Sequence, residues 1–157
     1  MSIKGLMLDP VSNSPIVVLK DDDEKFFLPI WVGIFEANAI ALQLENITTP
    51  RPMTHDLLRN MINELDAQVT RVVINDLRDS TFFAQIRVLV GSRTLEIDAR
   101  PSDAIALALR TEAPIYVAQS VLDQAQTISP EDAEDQDEKM KKLFENFDAD
   151  EMGKYKM

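Results

Sequence analysis

Two short segments of the sequence have a residue pattern that suits phosphate binding. Each places Arg-Pro ahead of a hydroxyl residue and a carboxylate, in the runs Arg51-Pro52-Met53-Thr54-His55-Asp56 and Arg100-Pro101-Ser102-Asp103. If Thr54 and Ser102 cap helices, free N–H groups at each helix start would lie beside an arginine, and such a start attracts anions. The pattern therefore predicts a phosphate site at these two arginines. The same residue types are common at any helix start, so a purely structural role stays open.

His55 is the only histidine, and the chain has no cysteine. Disulfides, thiolate zinc sites, iron–sulfur clusters and cysteine nucleophiles are therefore excluded, as is a mechanism that needs two histidines. At a helix start the positive end of the dipole disfavours imidazolium, which leaves His55 as a neutral base or ligand, or as a structural residue. Phosphodiester hydrolysis would need this base, a water-activating carboxylate or a divalent cation. The candidate carboxylates are Glu36, Asp98 and Asp103.

The net charge of the 157-residue chain is −11, from 16 basic and 27 acidic residues. Nonspecific nucleic-acid binding draws its affinity from phosphate neutralisation, so this charge argues against a protein that coats nucleic acid. All eight arginines nevertheless lie between positions 51 and 110. A local anion site inside an acidic protein is therefore allowed, although the arginines could instead pair with the eight acids of the same stretch.

Hydrophobic periodicity predicts which elements must position these residues. Apolar runs bounded by turn residues predict strands at residues 3–9, 16–20, 26–32, 69–77, 82–90, 94–99 and 115–118, and the run from Phe82 to Val90 alternates with period two. Apolar residues at helical spacing predict helices at residues 34–45, 54–65 and 103–111. The mixture of strands and helices predicts an α+β fold.

Two of the predicted helices have similar sequences. The segments are Asn38-Ala39-Ile40-Ala41-Leu42-Gln43-Leu44 and Asp103-Ala104-Ile105-Ala106-Leu107-Ala108-Leu109, identical at five of seven positions. Each follows three predicted strands, so we interpret the chain as a duplicated β-β-β-α unit that forms a mixed sheet packed by helices. Chance similarity between two helices rich in alanine and leucine is the alternative.

The last quarter of the chain has the sequence pattern of an acidic amphipathic helix. A Ser-Pro-Glu-Asp run from Ser129 predicts a helix start, and an apolar stripe at i, i+3, i+4 and i+7 follows it, formed by Met140, Leu143, Phe144 and Phe147. We expect a main domain at residues 1–120 and an acidic C-terminal amphipathic helical extension at residues 121–157, packed on that domain or on a partner chain. No segment has the length of a membrane span or the apolar core of a signal peptide, which predicts a cytoplasmic protein.

Three motifs together resemble one known family. The sequence is similar to the bifunctional nuclease (BFN) domain family over about residues 3–120, in the order and spacing of these motifs. The motifs are Leu28-Pro29-Ile30-Trp31-Val32-Gly33 with Glu36 to Leu42, Arg51 to Leu57, and Arg100 to Leu107. The resemblance implies an α+β domain that is often dimeric and acts on DNA and RNA. Carried over by position, it implies catalytic roles for Glu36, His55, Asp56 and Asp103. It implies substrate binding by Arg51, Thr54, Arg100 and Ser102.

The functional hypothesis is a nuclease that hydrolyses phosphodiester bonds of DNA and RNA with help from a metal ion. Mg²⁺ or Mn²⁺ would be held by Glu36, Asp98 and Asp103. The nucleic acid is then the substrate, and a homodimer is expected. The alternative is a non-catalytic homodimeric regulatory or anion-binding module. Clustering of the candidate acids and His55 around one cleft would favour the enzyme, whereas separate buried ion pairs would favour the module.

Overall fold

The first three strands form one antiparallel sheet in the computed structural model, which describes residues 1–125. They are β1 (Ser2–Leu8), β2 (Pro15–Lys20) and β3 (Phe27–Trp31), paired in sequence order. Asp9 closes the first turn by accepting a hydrogen bond from the backbone N–H of Val11. The three strands predicted for this region are confirmed.

A second sheet contains four strands, β4 (Ala67–Arg78), β5 (Thr81–Val90), β6 (Arg93–Ala99) and β7 (Ile115–Val117). Their spatial order is β6-β5-β4-β7, and β7 runs parallel to β4 whereas the other pairs are antiparallel. Asp79 and Ser80 make the turn between β4 and β5 with positive φ angles, and Gly91 does so between β5 and β6. These left-handed residues allow two-residue hairpin loops.

Four helices complete the described chain: α1 (Ile34–Leu44), α2 (Thr54–Glu64), α3 (Pro101–Thr111) and α4 (Gln119–Gln124). Helices α1 and α3 bury most of their side chains, as expected from sequences with almost no charge. Helix α2 differs, because Leu57, Leu58, Met61 and Leu65 beside its end are exposed while Ile62 packs on the core. Periodicity predicts α1, α2 and α3 but misses the short α4.

The main hydrophobic core lies between the two sheets and the helices. Val17 and Leu28 of the first sheet, Ile74 of the second and Ile40 and Ile105 of the helices are all inaccessible to solvent. Their burial supplies about 1.5–3 kcal/mol for each large aliphatic side chain. Helices α1 and α3 both contribute side chains to this core, and α2 adds Ile62 at its edge.

The α+β class is confirmed, and the strands are divided between two sheets, of which only the second is mixed. The order β-β-β-α occurs twice, with α2 inserted between the two sets. The duplication itself stays a prediction.

The predicted C-terminal amphipathic helix lies outside the described residues, so the boundary between residues 1–120 and 121–157 also stays a prediction. Within residues 1–125, no helix has both the length and the apolar character needed to cross a bilayer.

Candidate active site at three helix starts

Four of the predicted site residues form one connected network of hydrogen bonds. Arg100 Nη2 donates to Glu36 Oε1 at 2.9 Å, and Arg100 Nε donates to Asp103 Oδ2 at 2.8 Å. The second oxygen of that carboxylate, Asp103 Oδ1, lies 2.9 Å from His55 Nε2. A histidine, two carboxylates and a guanidinium are therefore joined across three helices.

Each member of the network stands at or beside the first turn of a helix. Arg100 directly precedes α3 in an extended conformation, as expected for a residue before proline, and Pro101 begins the helix. Asp103 is the acidic residue of that first turn, while His55 is the second residue of α2. Glu36 is in the first turn of α1 and folds back over Gly33, where a Cβ atom would lie 2.2 Å from Glu36 Oε2. Gly33 thus leaves room for the carboxylate to reach Arg100.

The charge state of Asp103 determines the role of His55. Burial alone would raise the pKa of Asp103, but hydrogen bonds from Arg100 and His55 lower it below its ordinary value of 3.8. The carboxylate is ionised at neutral pH and only accepts hydrogen bonds. His55 Nε2 is therefore the donor in the hydrogen bond to Asp103, and Nδ1 is the ring nitrogen that this bond does not use.

Exposure differs sharply along the network. The Arg100 side chain is 65% exposed and Glu36 is 19% exposed, whereas His55 is 7% exposed. Arg100 can therefore meet a large ligand at the surface. The imidazole is nearly buried and joins the network through Asp103.

Asp56 lies outside this network and pairs instead with Arg110. Arg110 Nε donates to Asp56 Oδ1 at 2.7 Å, and the other carboxylate oxygen accepts from the backbone N–H of Met53 at 3.0 Å. Burial would raise the pKa of Asp56, but these two hydrogen bonds lower it below its ordinary value. The hydrogen bonds of Asp56 therefore join it to a buried arginine and not to Glu36 or Asp103, and its catalytic role stays a prediction.

Sequence reasoning missed Arg110. Its side chain is 2% exposed, and besides Asp56 it donates to the carbonyl oxygens of Ala106 and Ala39. It therefore ties α1, α2 and α3 together. The available signal was a lone arginine in an otherwise apolar helix, since a buried arginine must find a partner on a neighbouring element.

The two hydroxyl residues do not cap their helices as expected. Helix α3 begins at Pro101, so Ser102 is its second residue and is buried. Helix α2 begins at Thr54, which is exposed, and the side chain that binds the preceding backbone N–H belongs to Asp56. Arg51 is exposed in the connection before α2. The hydroxyl caps are wrong because proline occupies the first position of α3 and a carboxylate replaces the hydroxyl in α2.

The residues expected to hold a metal ion do not form a metal site in this arrangement. Asp98 lies on β6 opposite Gln85, in a different element from the network, and is exposed. The Arg100 guanidinium binds the carboxylates of both Glu36 and Asp103, where a cation would need their oxygens. Among residues 1–125, no three acidic or histidine side chains are grouped to hold a metal.

A polar pocket of about 280 Å³ lies at the opposite ends of the same helices. Its lining includes Asn63 at the end of α2 and Thr111 and Glu112 at the end of α3, together with Arg59. Arg110 also contributes to it, but no member of the Glu36–Arg100–Asp103–His55 network does. The network is therefore a surface feature at the helix starts, separate from this pocket.

Comparison with known proteins identifies relatives of the chain. A family model described as the bifunctional nuclease domain matches residues 17–130. An uncharacterized protein of Mycobacterium tuberculosis is 37% identical over 158 residues, covering 95% of this chain and 94% of that protein. Bifunctional nuclease 2 of Oryza sativa subsp. japonica is 30% identical over 122 residues, and Bifunctional nuclease 1 of Arabidopsis thaliana is 29% identical over 118 residues.

The alignments with the plant proteins cover 75% and 73% of this chain but only 38% and 36% of those longer proteins. The family model matches most of this chain, from β2 to beyond α4. The resemblance noted in the sequence motifs is thereby confirmed, and the chain belongs to the bifunctional nuclease domain family.

Proposed function

We propose that the protein is a nuclease that hydrolyses phosphodiester bonds of DNA and RNA at the starts of α1, α2 and α3. The observation that carries the proposal is the exposed Arg100 guanidinium, held by Glu36 and by an aspartate that also binds His55. The names of the plant relatives, both called bifunctional nucleases, support the same activity.

Substrate binding is assigned to the exposed arginines. Arg100 is fixed in position but open to solvent, so a phosphate can approach its free face. Arg51 and Thr54 are exposed near the start of α2, where backbone N–H groups favour an anion. These positive groups offset the overall charge of −11 at the place where a polyanion must bind.

Proton transfer is assigned to His55. Asp103 orients the ring through Nε2, in the way that a carboxylate orients a catalytic histidine, and the scheme assigns Nδ1 as the atom that accepts a proton from an attacking water. Glu36 is a positioning residue, because it binds Arg100 at Nη2 while Asp103 binds the same guanidinium at Nε.

Dependence of cleavage on a divalent metal ion, Mg²⁺ or Mn²⁺, stays a prediction, which the cleavage assay tests. The donor set does not fit a metal while Arg100 occupies both carboxylates, so no step is assigned to an ion. The cytoplasmic location also stays a prediction.

The test measures cleavage of end-labelled single-stranded DNA and RNA by purified protein, with Mg²⁺, Mn²⁺ or EDTA. We expect His55→Ala and Asp103→Asn to lower the rate at least about tenfold, since general base catalysis contributes about 10²–10⁴-fold. Arg100→Ala should mainly raise KM. Arg93→Ala, which removes an exposed arginine of β6, is the matched control and should behave like wild type. A wild-type protein that cleaves neither polymer, or a fully active His55→Ala variant, would contradict the proposal.

A non-catalytic anion-binding module is the second candidate, and the Asp56–Arg110 pair favours it. This pair braces the helices without any part in chemistry, and the Arg100 bridges could do the same at the surface. The module predicts that oligonucleotides bind to wild type and not to Arg100→Ala, while neither protein cleaves them. The same experiment therefore separates the two functions.

A further inference from the structure

Four apolar side chains of the first sheet, outside the main core, are buried from solvent. Met7, Ile16, Val18 and Phe27 form an apolar cluster of their own, and none of them is more than 7% exposed. These four side chains lie on the three neighbouring strands β1, β2 and β3. A sheet face with such low exposure must be covered by another part of a protein chain.

The strand register shows that this face is opposite to the main core. Ile16 and Val18 alternate with Val17 and Leu19, which belong to the main core. Ile16 lies opposite Met7 on β1 and opposite Trp31 on β3. Paired residues of antiparallel strands point to the same side, so Trp31 shares the outer face with the buried cluster.

The described helices do not account for this burial. Ile40 of α1, Ile105 of α3 and Val121 of α4 all belong to the main core, and α2 contributes Ile62 there. Within residues 1–125, the outer cluster contains strand residues only. We infer that residues 126–157 of the same chain cover the outer face of the β1–β2–β3 sheet, through the apolar stripe Met140, Leu143, Phe144 and Phe147.

The sequence of the segment fits this face in shape and length. Its stripe at i, i+3, i+4 and i+7 would present one apolar side of a helix, which is what a flat apolar sheet face accepts. The 15 residues from Ala125 to Met140 can span about 50 Å when extended, more than the width of a three-stranded sheet.

Trp31 provides the first test, because it is the only tryptophan and lies half-exposed in the outer face. We expect Leu143→Asp in the full chain to shift Trp31 emission to longer wavelength and to increase binding of a dye such as ANS. Asn146→Asp adds the same charge in the same segment outside the stripe and should leave both signals at the wild-type level. Equal signals for the two variants would overturn the inference.

A second test needs no disruptive substitution. The chain has no cysteine, so Asn146→Cys allows a single spin label on the folded full-length protein. We expect the label to broaden the amide resonances of Met7, Ile16 and Val18 but not that of Glu96 on β6. Absence of broadening in the first sheet would overturn the inference. So would broadening that appears only when spin-labelled chains are mixed with separate isotope-labelled chains, since the occupant would then be a second copy.

Discussion

Arg100 and Arg110 use the same guanidinium fork in opposite surroundings. Arg100 is mostly exposed and binds two carboxylates, so a phosphate can compete for it at the surface. Arg110 is buried and binds Asp56 together with two backbone carbonyls. If Arg110 released Asp56 to bind a ligand, the Asp56 carboxylate would be left without its charged partner, and the folded protein would lose stability. The two arginines therefore separate ligand binding from structural support.

The lowered pKa values of Asp56 and Asp103 predict a loss of stability in acid. Each carboxylate is stabilised in the folded state relative to the unfolded chain, so its contribution is present above pH 3.8 and is lost as pH falls through the lowered folded pKa. We expect the free energy of unfolding from urea titrations to fall below about pH 4, and to fall less steeply in an Asp56→Asn, Asp103→Asn variant. Parallel pH profiles for the variant and wild type would contradict this.

Residue types and their spacing along the chain predict part of the site. Glu36, His55, Arg100 and Asp103 are found together, as their positions in the motifs suggest. The partner of Asp56 could not be predicted, because it depends on how α2 packs against α3, which local sequence does not specify. Asp98, only two residues before Arg100, lies on β6 opposite Gln85 and outside the network.

At the scale of elements, the three helix starts meet because Arg110 links their helices. It joins α3 to Asp56 of α2 and to the Ala39 carbonyl of α1. The small alanines that line α1 and α3 allow this close approach. Because the three helices are joined in this way, Glu36, His55 and Arg100 stay close together at the helix starts.

Arg110→Ala should destabilise the protein by about 3 kcal/mol, because it leaves Asp56 and two carbonyls without a buried partner. Urea unfolding followed by circular dichroism measures this loss. Arg78→Ala, which breaks an exposed pair with Asp76, is the control and should change stability by less than about 1 kcal/mol. Similar midpoints for the two variants would show that the pair does not brace the helices.

Ile40→Asp and Ile105→Asp should each prevent stable folding. Both side chains are inaccessible at the centre of the core, and an unpaired buried charge costs several kcal/mol of a total near 5–15 kcal/mol. Phe35→Asp on α1 is the control, since Phe35 is 80% exposed. A cooperative thermal transition at the wild-type temperature in either isoleucine variant would contradict the packing described.

Periodicity predicts the elements better than it predicts their surroundings. The alternation from Phe82 to Val90 and the apolar helix after Pro101 are found with bounds that differ by only a few residues. The spacing of Leu57, Leu58, Met61 and Leu65 suggests a buried face, yet these side chains are exposed. A periodic pattern shows that a helix has an apolar side but not which surface covers it.

At the scale of the whole molecule, this exposed face of α2 supports the proposed homodimer. Contiguous exposed apolar side chains on a helix are typical of protein interfaces, and a two-fold axis would place two copies of the face together. We expect light scattering at micromolar concentration to give about twice the chain mass of 17.7 kDa.

Leu58→Glu should convert that dimer to a monomer, because it places a charge in the paired faces. Val11→Glu is the control, since Val11 is 94% exposed in the turn after β1 and far from α2 in sequence. A monomeric wild type, or a dimer that survives Leu58→Glu, would rule out an interface through α2.

The distance along the chain between β7 and β4 indicates the order in which the strands of the second sheet pair during folding. Two tight turns connect β4, β5 and β6, whereas the β7 residue Ile115 pairs with Val72, 43 residues earlier in the chain. Contacts that are local in sequence form faster than those that close a long loop. The hairpins should therefore be in place before β7 closes the edge, and Arg100, at the end of β6, gains its strand support early in folding.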